Sequence, residues 1–306
     1  MKNFLSIEAC SRAEIEELVE SSVSLKEARH NSDFSSRPLL DQCWGIIFSK
    51  ASTRTRISFE VGIRELGGSA MFLSPRDLQL GRGEPIQDTA RVMGRMLHGA
   101  VIRNDSQVEI EQFAELSDIP TINALTDQEH PCQIIADLLT VRESLGSWEG
   151  KKVVFLGDVD CNVAHSWVWA AKHLGFELIL SGPSQICSPA GYLEGLDCSN
   201  ISFVEDPLVA VADANVLYTD VWVSMGMEDE ASKREGAFTD YQINEKIINL
   251  ADSNAMVMHC LPAYRDKEIS ENAFEANAGT IFSQAENRLH AQKAIMKDLA
   301  TCLGKF

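Results

Sequence analysis

The chain has 306 residues and no run near the ~20 consecutive apolar residues of a membrane-spanning helix, which argues against a place in a membrane. It has no C-x-x-C pair: its eight cysteines stand at 10, 43, 132, 161, 187, 198, 260 and 302, so a zinc ribbon or thioredoxin motif is excluded and no metal is expected. Most of these cysteines lie in apolar runs, such as Cys43 in CWGIIF, and read as small buried hydrophobes. That usage suits a reducing, cytoplasmic compartment. The opening MKNFLSIEACSRAEIEE is acidic early and has no apolar stretch of signal-peptide length. There is no internal repeat and no long Pro/Ser/Gly linker. Basic residues are also scarce: 27 Lys+Arg face 45 Asp+Glu, a formal net charge of -18. A bulk charge of that sign repels nucleic acid and anionic membrane. Taken alone, it also disfavours a small anionic substrate. With 45% hydrophobic and 24% charged residues, 19 Gly and 9 Pro, the composition is that of a globular protein, long enough for two domains.

Short apolar runs alternate with longer amphipathic ones. CWGIIF (43–48), AMFLS (70–74), GAVIR (99–103) and PTINAL (120–125) read as strands, and 53–66, 84–97, 107–119 and 130–146 as the helices between them. After Ser147-Trp148-Glu149-Gly150 the series restarts, with strands at 151–158, 176–182, 201–206, 215–222 and 255–262. Helices are expected over 162–175, 207–214 and 285–304. The reading is α/β: two similar-sized domains, each a parallel sheet flanked by helices, at 1–147 and 148–285, with a last helix over 286–306 crossing back to the first. Ligands in such sheets bind beyond the carboxyl ends of the strands.

Four motifs fall at strand ends. Ser52-Thr53-Arg54-Thr55-Arg56 opens a helix, where free backbone N–H groups, hydroxyls and guanidinium groups form an anion trap. A capped, solvated helix start with incidental arginines accounts for it equally well. His130-Pro131-Cys132-Gln133 places a His and a Gln three apart at another helix start, aimed at one point; alone, it reads better as a satisfied loop histidine. His259-Cys260-Leu261-Pro262 ends a strand and is either a substrate-facing thiol or a buried cysteine. Asp220-Val221-Trp222-Val223-Ser224-Met225-Gly226 has an Asp and a Ser four apart, suited to an ammonium and a carboxylate or to ordinary strand-end polarity. Arg103, ending a strand, and Glu286-Asn287-Arg288, opening the last helix, are weaker signals.

In this order, along nearly the whole chain, these residues resemble the aspartate/ornithine carbamoyltransferase family. Ser52 through Glu60, S-T-R-T-R-x-S-F-E, is the most specific match. D-x-W-x-S-M-G, H-C-L-P and H-P-C-Q are similar to its ornithine branch. The resemblance implies transfer of the carbamoyl group of carbamoyl phosphate to the δ-amine of L-ornithine, with no cofactor, in a homotrimer or a multiple of trimers. It implies that Ser52, Thr53, Arg54, Thr55, Arg56, Gln79, Arg103, His130, Gln133, Cys260, Leu261 and Arg288 hold carbamoyl phosphate, and Asn162, Asp220, Ser224 and Met225 hold ornithine. Arg103, His130 and Cys260 would be catalytic, the first two on the carbonyl oxygen and Cys260 near the amine. It also implies a cis Leu261–Pro262 bond, domain closure, and motion of the loop around 224–235. One segment departs from the family's G-D-G-N-N: Gly157-Asp158-Val159-Asp160-Cys161-Asn162 is a residue longer and adds a carboxylate. The same chemistry on putrescine or N-acylornithine, and a non-catalytic metabolite-binding paralogue, are the competing readings.

The distribution of charge removes the apparent conflict with an anionic substrate. Between Arg54 and Arg103 there are eight basic and five acidic residues, and twelve of the fifteen arginines precede residue 150. Over a Debye length of about 8 Å, local arginines and not the bulk charge govern what a cleft binds.

Overall fold

The computed structural model describes residues 1–74, 83–187, 193, 195, 196, 198–223 and 231–302. The chain forms two units, one of Met1–Leu139 with Glu286–Phe306 and one of Thr140–Ala285.

In the first unit, β1 (Cys43–Phe48), β2 (Ser69–Leu73), β3 (Gly99–Arg103) and β4 (Thr121–Leu125) form a parallel sheet in the order β2-β1-β3-β4. β3 is buried along its whole length and β1 at all but its first residue, which is why both read as nearly continuous apolar runs. β2 lies at an edge and exposes Ser69, Ala70 and Met71. The other edge is extended by Phe4, whose N–H donates to Thr121 O (2.9 Å) and whose carbonyl accepts from Asn123 N–H (2.8 Å). The helices are α1 (Arg12–His30), α2 (Thr53–Glu65), α3 (Ile86–Met93), α4 (Gln107–Ser117) and α5 (Pro131–Leu145), the last running across the division between units.

Sequence reasoning assigned no element to α1. Its signal is Ser11-Arg12-Ala13-Glu14, a capping box in which Ser11 Oγ accepts Glu14 N–H (3.3 Å) and the Glu14 carboxylate accepts Ser11 N–H (2.8 Å). α3 is shorter than the expected 84–97. Pro85 is its N-cap, outside the first turn, and it stops at Gly94, where a Cβ would sit 1.9 Å from Ser117 O at the end of α4.

In the second unit, β5 (Lys152–Leu156), β6 (Glu177–Ser181), β7 (Ile201–Phe203), β8 (Val216–Thr219) and β9 (Met256–His259) form a parallel sheet ordered β7-β6-β5-β8-β9. α6 (Asn162–Leu174) ends at Gly175, whose φ of 79° is the left-handed cap expected of a glycine there. Shorter helices follow: α7 (Pro207–Ala210), α8 (Ala231–Phe238), α9 (Glu245–Ile248) and α10 (Glu271–Ala276). The core packs Tyr218 of β8 against Phe155 (5.3 Å, stacked) and edge-on to Trp167 of α6 (5.4 Å). β7, β8 and β9 are shorter than the apolar runs suggested. β9 stops at His259 because Leu261, at φ 58°, turns the chain out of line.

The last helix, α11 (Ala278–Cys302), begins seven residues before the expected 285. From Glu286 onward it belongs to the first unit, where Lys26 donates to Asn287 Oδ1 and Lys293 pairs with Glu65, both at 2.8 Å. Among the described residues no helix is long and apolar enough to cross a membrane.

Candidate active site

The first unit gathers its candidate residues at the carboxyl ends of β1, β3 and β4, where the order β2-β1-β3-β4 changes direction between β1 and β3. β1 leads to the Ser52 segment. Ser52 is the N-cap of α2, but its hydroxyl accepts no backbone N–H; it donates instead to Thr55 Oγ1 (2.9 Å). The N–H groups of the first helical turn are therefore left for a ligand. Thr55 is buried and also accepts from the guanidinium of Arg288, so α11 reaches the start of α2.

Arg103 ends β3, where Ser49 N–H (2.9 Å) and Ser49 Oγ (3.1 Å) both donate to its carbonyl. Its side chain is buried, and burial, then the nearby Arg288 and Arg54, hold its pKa down to about 10. Two further guanidinium groups thus disfavour the charge on Arg103, an arrangement that suits an anion. His130 is buried at the start of α5. Burial first, then Arg288 and Arg103, push its pKa well below the usual imidazole value, so at neutral pH the ring is uncharged. A neutral imidazole has one N–H to give to an oxygen. Gln133, at 1% exposure, donates from Nε2 to Asp137 Oδ1 (2.8 Å). Its Oε1 and the Nε of Arg103 are buried without a hydrogen-bond partner among the described residues, one acceptor and one donor. Cys132, between His130 and Gln133, is an inert buried thiol: Sγ donates to Asn123 O (3.3 Å), and burial lifts its pKa to about 12.

Two members of the expected phosphate set point elsewhere or are not placed. Arg56 is exposed, ion-paired with Glu60 (2.8 Å) and stacked over Phe72 at 3.8 Å from its ring centroid. One position beyond Thr55 on a helix is a turn of about 100°, which swings it away from the buried face. Gln79 lies outside the described residues.

The second unit places its candidates beyond β5, β8 and β9. The segment Asp158–Cys161 leads from β5 into α6, and the Cys161 thiol accepts Ala164 N–H (3.5 Å) as N-cap. Asn162 is the first residue of that helix and half-buried. Asp158 is buried and ion-paired with the equally buried Arg234. Burial raises the Asp158 pKa, and Arg234 opposes that rise. Arg234 Nε also donates to Trp222 O (2.8 Å), and its guanidinium faces the Phe238 ring. One cation thus ties the segment before Asn162 to the segment after Asp220, a link that no sequence spacing signals.

Asp220 follows β8 and accepts Val221 N–H (2.7 Å). Its carboxylate, the His259 ring and the Cys260 thiol lie within 4.8 Å of one another, three ligand types a metal could use. Spacing along the chain missed this trio because Asp220 arrives from the neighbouring strand. Both His259 ring nitrogens are already engaged, Nε2 with Glu268 (3.0 Å) and Nδ1 with Leu261 N–H (2.9 Å), so a metal there would have to displace one of these bonds. His259 N–H, on edge strand β9, donates to Gln284 Oε1 (2.9 Å). These contacts fix the turn that carries Cys260 and Leu261, and Leu261–Pro262 is cis. Ser224 and Met225, with the rest of 224–230, lie outside the described residues.

Residues 2–143 match the carbamoyl-P binding domain of the aspartate/ornithine carbamoyltransferases, and residues 149–299 match their Asp/Orn binding domain. The ornithine carbamoyltransferase of Akkermansia muciniphila is 54% identical over 302 residues, 98% of each chain. The crystal structure of the anabolic ornithine carbamoyltransferase of Campylobacter jejuni is similar with a TM-score of 0.91 at 40% identity, covering 99% of this chain and 100% of that one. The Pyrococcus furiosus ornithine carbamoyltransferase gives 0.88 at 37% identity, covering 96% of each.

Proposed function

The chain belongs to the aspartate/ornithine carbamoyltransferase family, and we propose that it transfers the carbamoyl group of carbamoyl phosphate to the δ-amine of L-ornithine, giving L-citrulline and phosphate. The first unit, taken as 1–147 with 286–306, binds carbamoyl phosphate; the second, 148–285, binds ornithine. The observation that carries the reading is that Arg103 Nε and Gln133 Oε1, in the half-site of the uncharged His130, are both buried without a hydrogen-bond partner among the described residues. A carbamoyl group offers the matching set, an oxygen that accepts and an NH2 that donates.

The phosphate is held by Ser52, Thr53, Arg54 and Thr55 with Arg103 and Arg288. Arg56 supports the start of α2 through Glu60 and Phe72. The amine attacks the carbonyl carbon and the N–C bond forms, giving a tetrahedral intermediate; one amine proton is lost, and the bond between the carbonyl carbon and the phosphate oxygen then breaks and phosphate departs. The amine must be neutral to attack, although a free amine is mostly protonated at pH 7. Asp220 and Cys260, held together at the ends of β8 and β9, position it and take up its proton. Arg103 and His130 stabilise the oxyanion of the tetrahedral intermediate. Asn162 binds the amino-acid end, with Ser224 and Met225 assigned there by family resemblance. Leu261 and Gln79 complete the carbamoyl phosphate set on the same ground.

A homotrimer accounts for the apolar side chains left at the surface of α2, β2 and α3 and just beyond: Ile57, Met71, Val92 and Met96 are 49–72% exposed. Work in the cytoplasm suits the free thiols of the seven cysteines from Cys10 to Cys260.

A colorimetric citrulline assay with ornithine, putrescine and N-acetylornithine as amines tests the reading. Ornithine should be the preferred substrate. Turnover of putrescine or N-acetylornithine with none of ornithine overturns the choice of amine.

A further inference from the structure

Asp137 is fully buried on α5, one helical turn beyond Gln133, and accepts the hydrogen bond from Gln133 Nε2 at 2.8 Å. The two ends of a Gln amide have almost the same shape, so the network around it decides which end points where. A carboxylate oxygen that bears no proton only accepts hydrogen bonds, and Asp137 Oδ1 accepts from Gln133 Nε2, so the NH2 end faces Asp137. The opposite orientation would set two acceptors against each other and strand the NH2. Gln133 Oε1 is thereby left as a buried acceptor with no partner among the described residues. Asp137 has no part in the chemistry set out above, yet it fixes the polarity of a group that does.

We propose that Asp137 is a positioning residue that makes this half-site select a carbamoyl over an acyl phosphate, by holding the Gln133 amide with its oxygen toward the ligand. The proposal rests on the carbamoyl-transfer reading. A carbamoyl group satisfies Oε1 with its N–H. An acetyl group brings a methyl and leaves the acceptor buried and unsatisfied, the kind of mismatch by which polar sites discriminate strongly. The phosphate part of the ligand is untouched by the amide's orientation, because Arg54 and Thr55 sit on a different helix.

The test compares Asp137→Asn with the native chain, using carbamoyl phosphate as substrate and acetyl phosphate and inorganic phosphate as competitive inhibitors. Asn accepts or donates, so it releases the constraint on Gln133. The KM for carbamoyl phosphate should rise about 10- to 100-fold, and the preference for carbamoyl over acetyl phosphate should fall by a similar factor. The inhibition constant of inorganic phosphate should stay within about twofold. Asp137→Glu keeps the carboxylate and should restore part of the preference; it also serves as the test variant if Asp137→Asn does not fold.

In a Gln133→Ala background, Asp137→Asn should have little further effect on the preference, because the two act as one unit. Additive effects in that double variant would overturn the proposal. So would an Asp137→Asn variant whose phosphate inhibition weakens as much as its carbamoyl phosphate KM, which is the mark of a merely structural role. A native protein that makes no citrulline at all defeats the reading of the reaction. Native turnover with an unaffected Asp137→Asn variant defeats only this assignment.

Discussion

The half-site of the first unit is cationic and that of the second is acidic and sulfur-bearing. Burial, then the nearby Arg288 and Arg54, lowers the pKa of Arg103, a cost that an anionic ligand removes. In the second unit the buried Arg234 is matched to Asp158, while Asp220 sits with His259 and Cys260. Each half carries the charge opposite to its proposed ligand, phosphate in one and an amine in the other. The means of fixing them differ as well. The first half-site hangs on helix starts and strand ends, with Thr55, Gln133 and Ser49 as tethers. The second depends on single buried side chains, Arg234, Glu268 and Gln284, that bridge loops. A net charge of -18 described neither.

The sharpest way to break this division is to remove one cation. Arg103→Ala should lower kcat about 10²- to 10³-fold, the usual loss for one oxyanion donor, and leave the ornithine KM within a fewfold. Steady-state kinetics with each substrate varied in turn would show it. An ornithine KM that moves more than the carbamoyl phosphate KM would erase the distinction. The mirror experiment is Asp220→Asn. It should raise the ornithine KM about 10- to 100-fold, the scale of a lost charge-assisted hydrogen bond, and leave inhibition by inorganic phosphate unchanged.

A third comparison is in pH. His290 and His130, both in the first unit, have depressed pKa values, chiefly from burial, and that of His290 falls to about 4. Below about pH 6.5 an unfolded histidine takes up a proton that the folded one refuses. Their contribution is therefore complete above that pH and is lost as pH falls toward 4. Asp158 in the second unit has the opposite sign. Its raised pKa makes its folded form less costly on acidification. Urea titrations from pH 7 to 4.5 should show stability declining, and His290→Gln should flatten the slope by up to one proton's worth. A slope unchanged in that variant would remove His290 from the account. The smallest effect is expected at Arg56. Its pair with Glu60 is half-exposed on both sides, and Arg56→Ala should cost less than about 1 kcal/mol and leave turnover within a fewfold, in contrast to Arg54→Ala.

Much of the site was legible because its residues come in contiguous motifs at strand ends. Ser52–Arg56, His130–Gln133 and His259–Pro262 each mark a place where an apolar run stops and a functional turn begins. The limits of that reading are local. It credited Arg56 with a phosphate role because it shares the motif, while helical rotation sends it to Glu60 and Phe72. Spacing along the chain offers no third donor beside His259 and Cys260, because Asp220 is some 40 residues earlier and reaches them only through the neighbouring strand. It passed over α1, although Ser11 and Glu14 carry the capping signal, and set the last helix seven residues short.

By itself the sequence determined the βα alternation, the parallel sheets and the chemistry at each strand end. Those follow from hydrophobic period and from residue type at turns, which are short-range properties. Only the tertiary structure decided that Arg288 meets Thr55, that Asp137 turns Gln133, that Arg234 neutralises Asp158 and that Asp220 joins Cys260. Except for the i,i+4 pair on α5, these contacts join residues far apart in the chain. Even that pair gains its meaning from burial, which removes water as an alternative partner and so makes each orientation count.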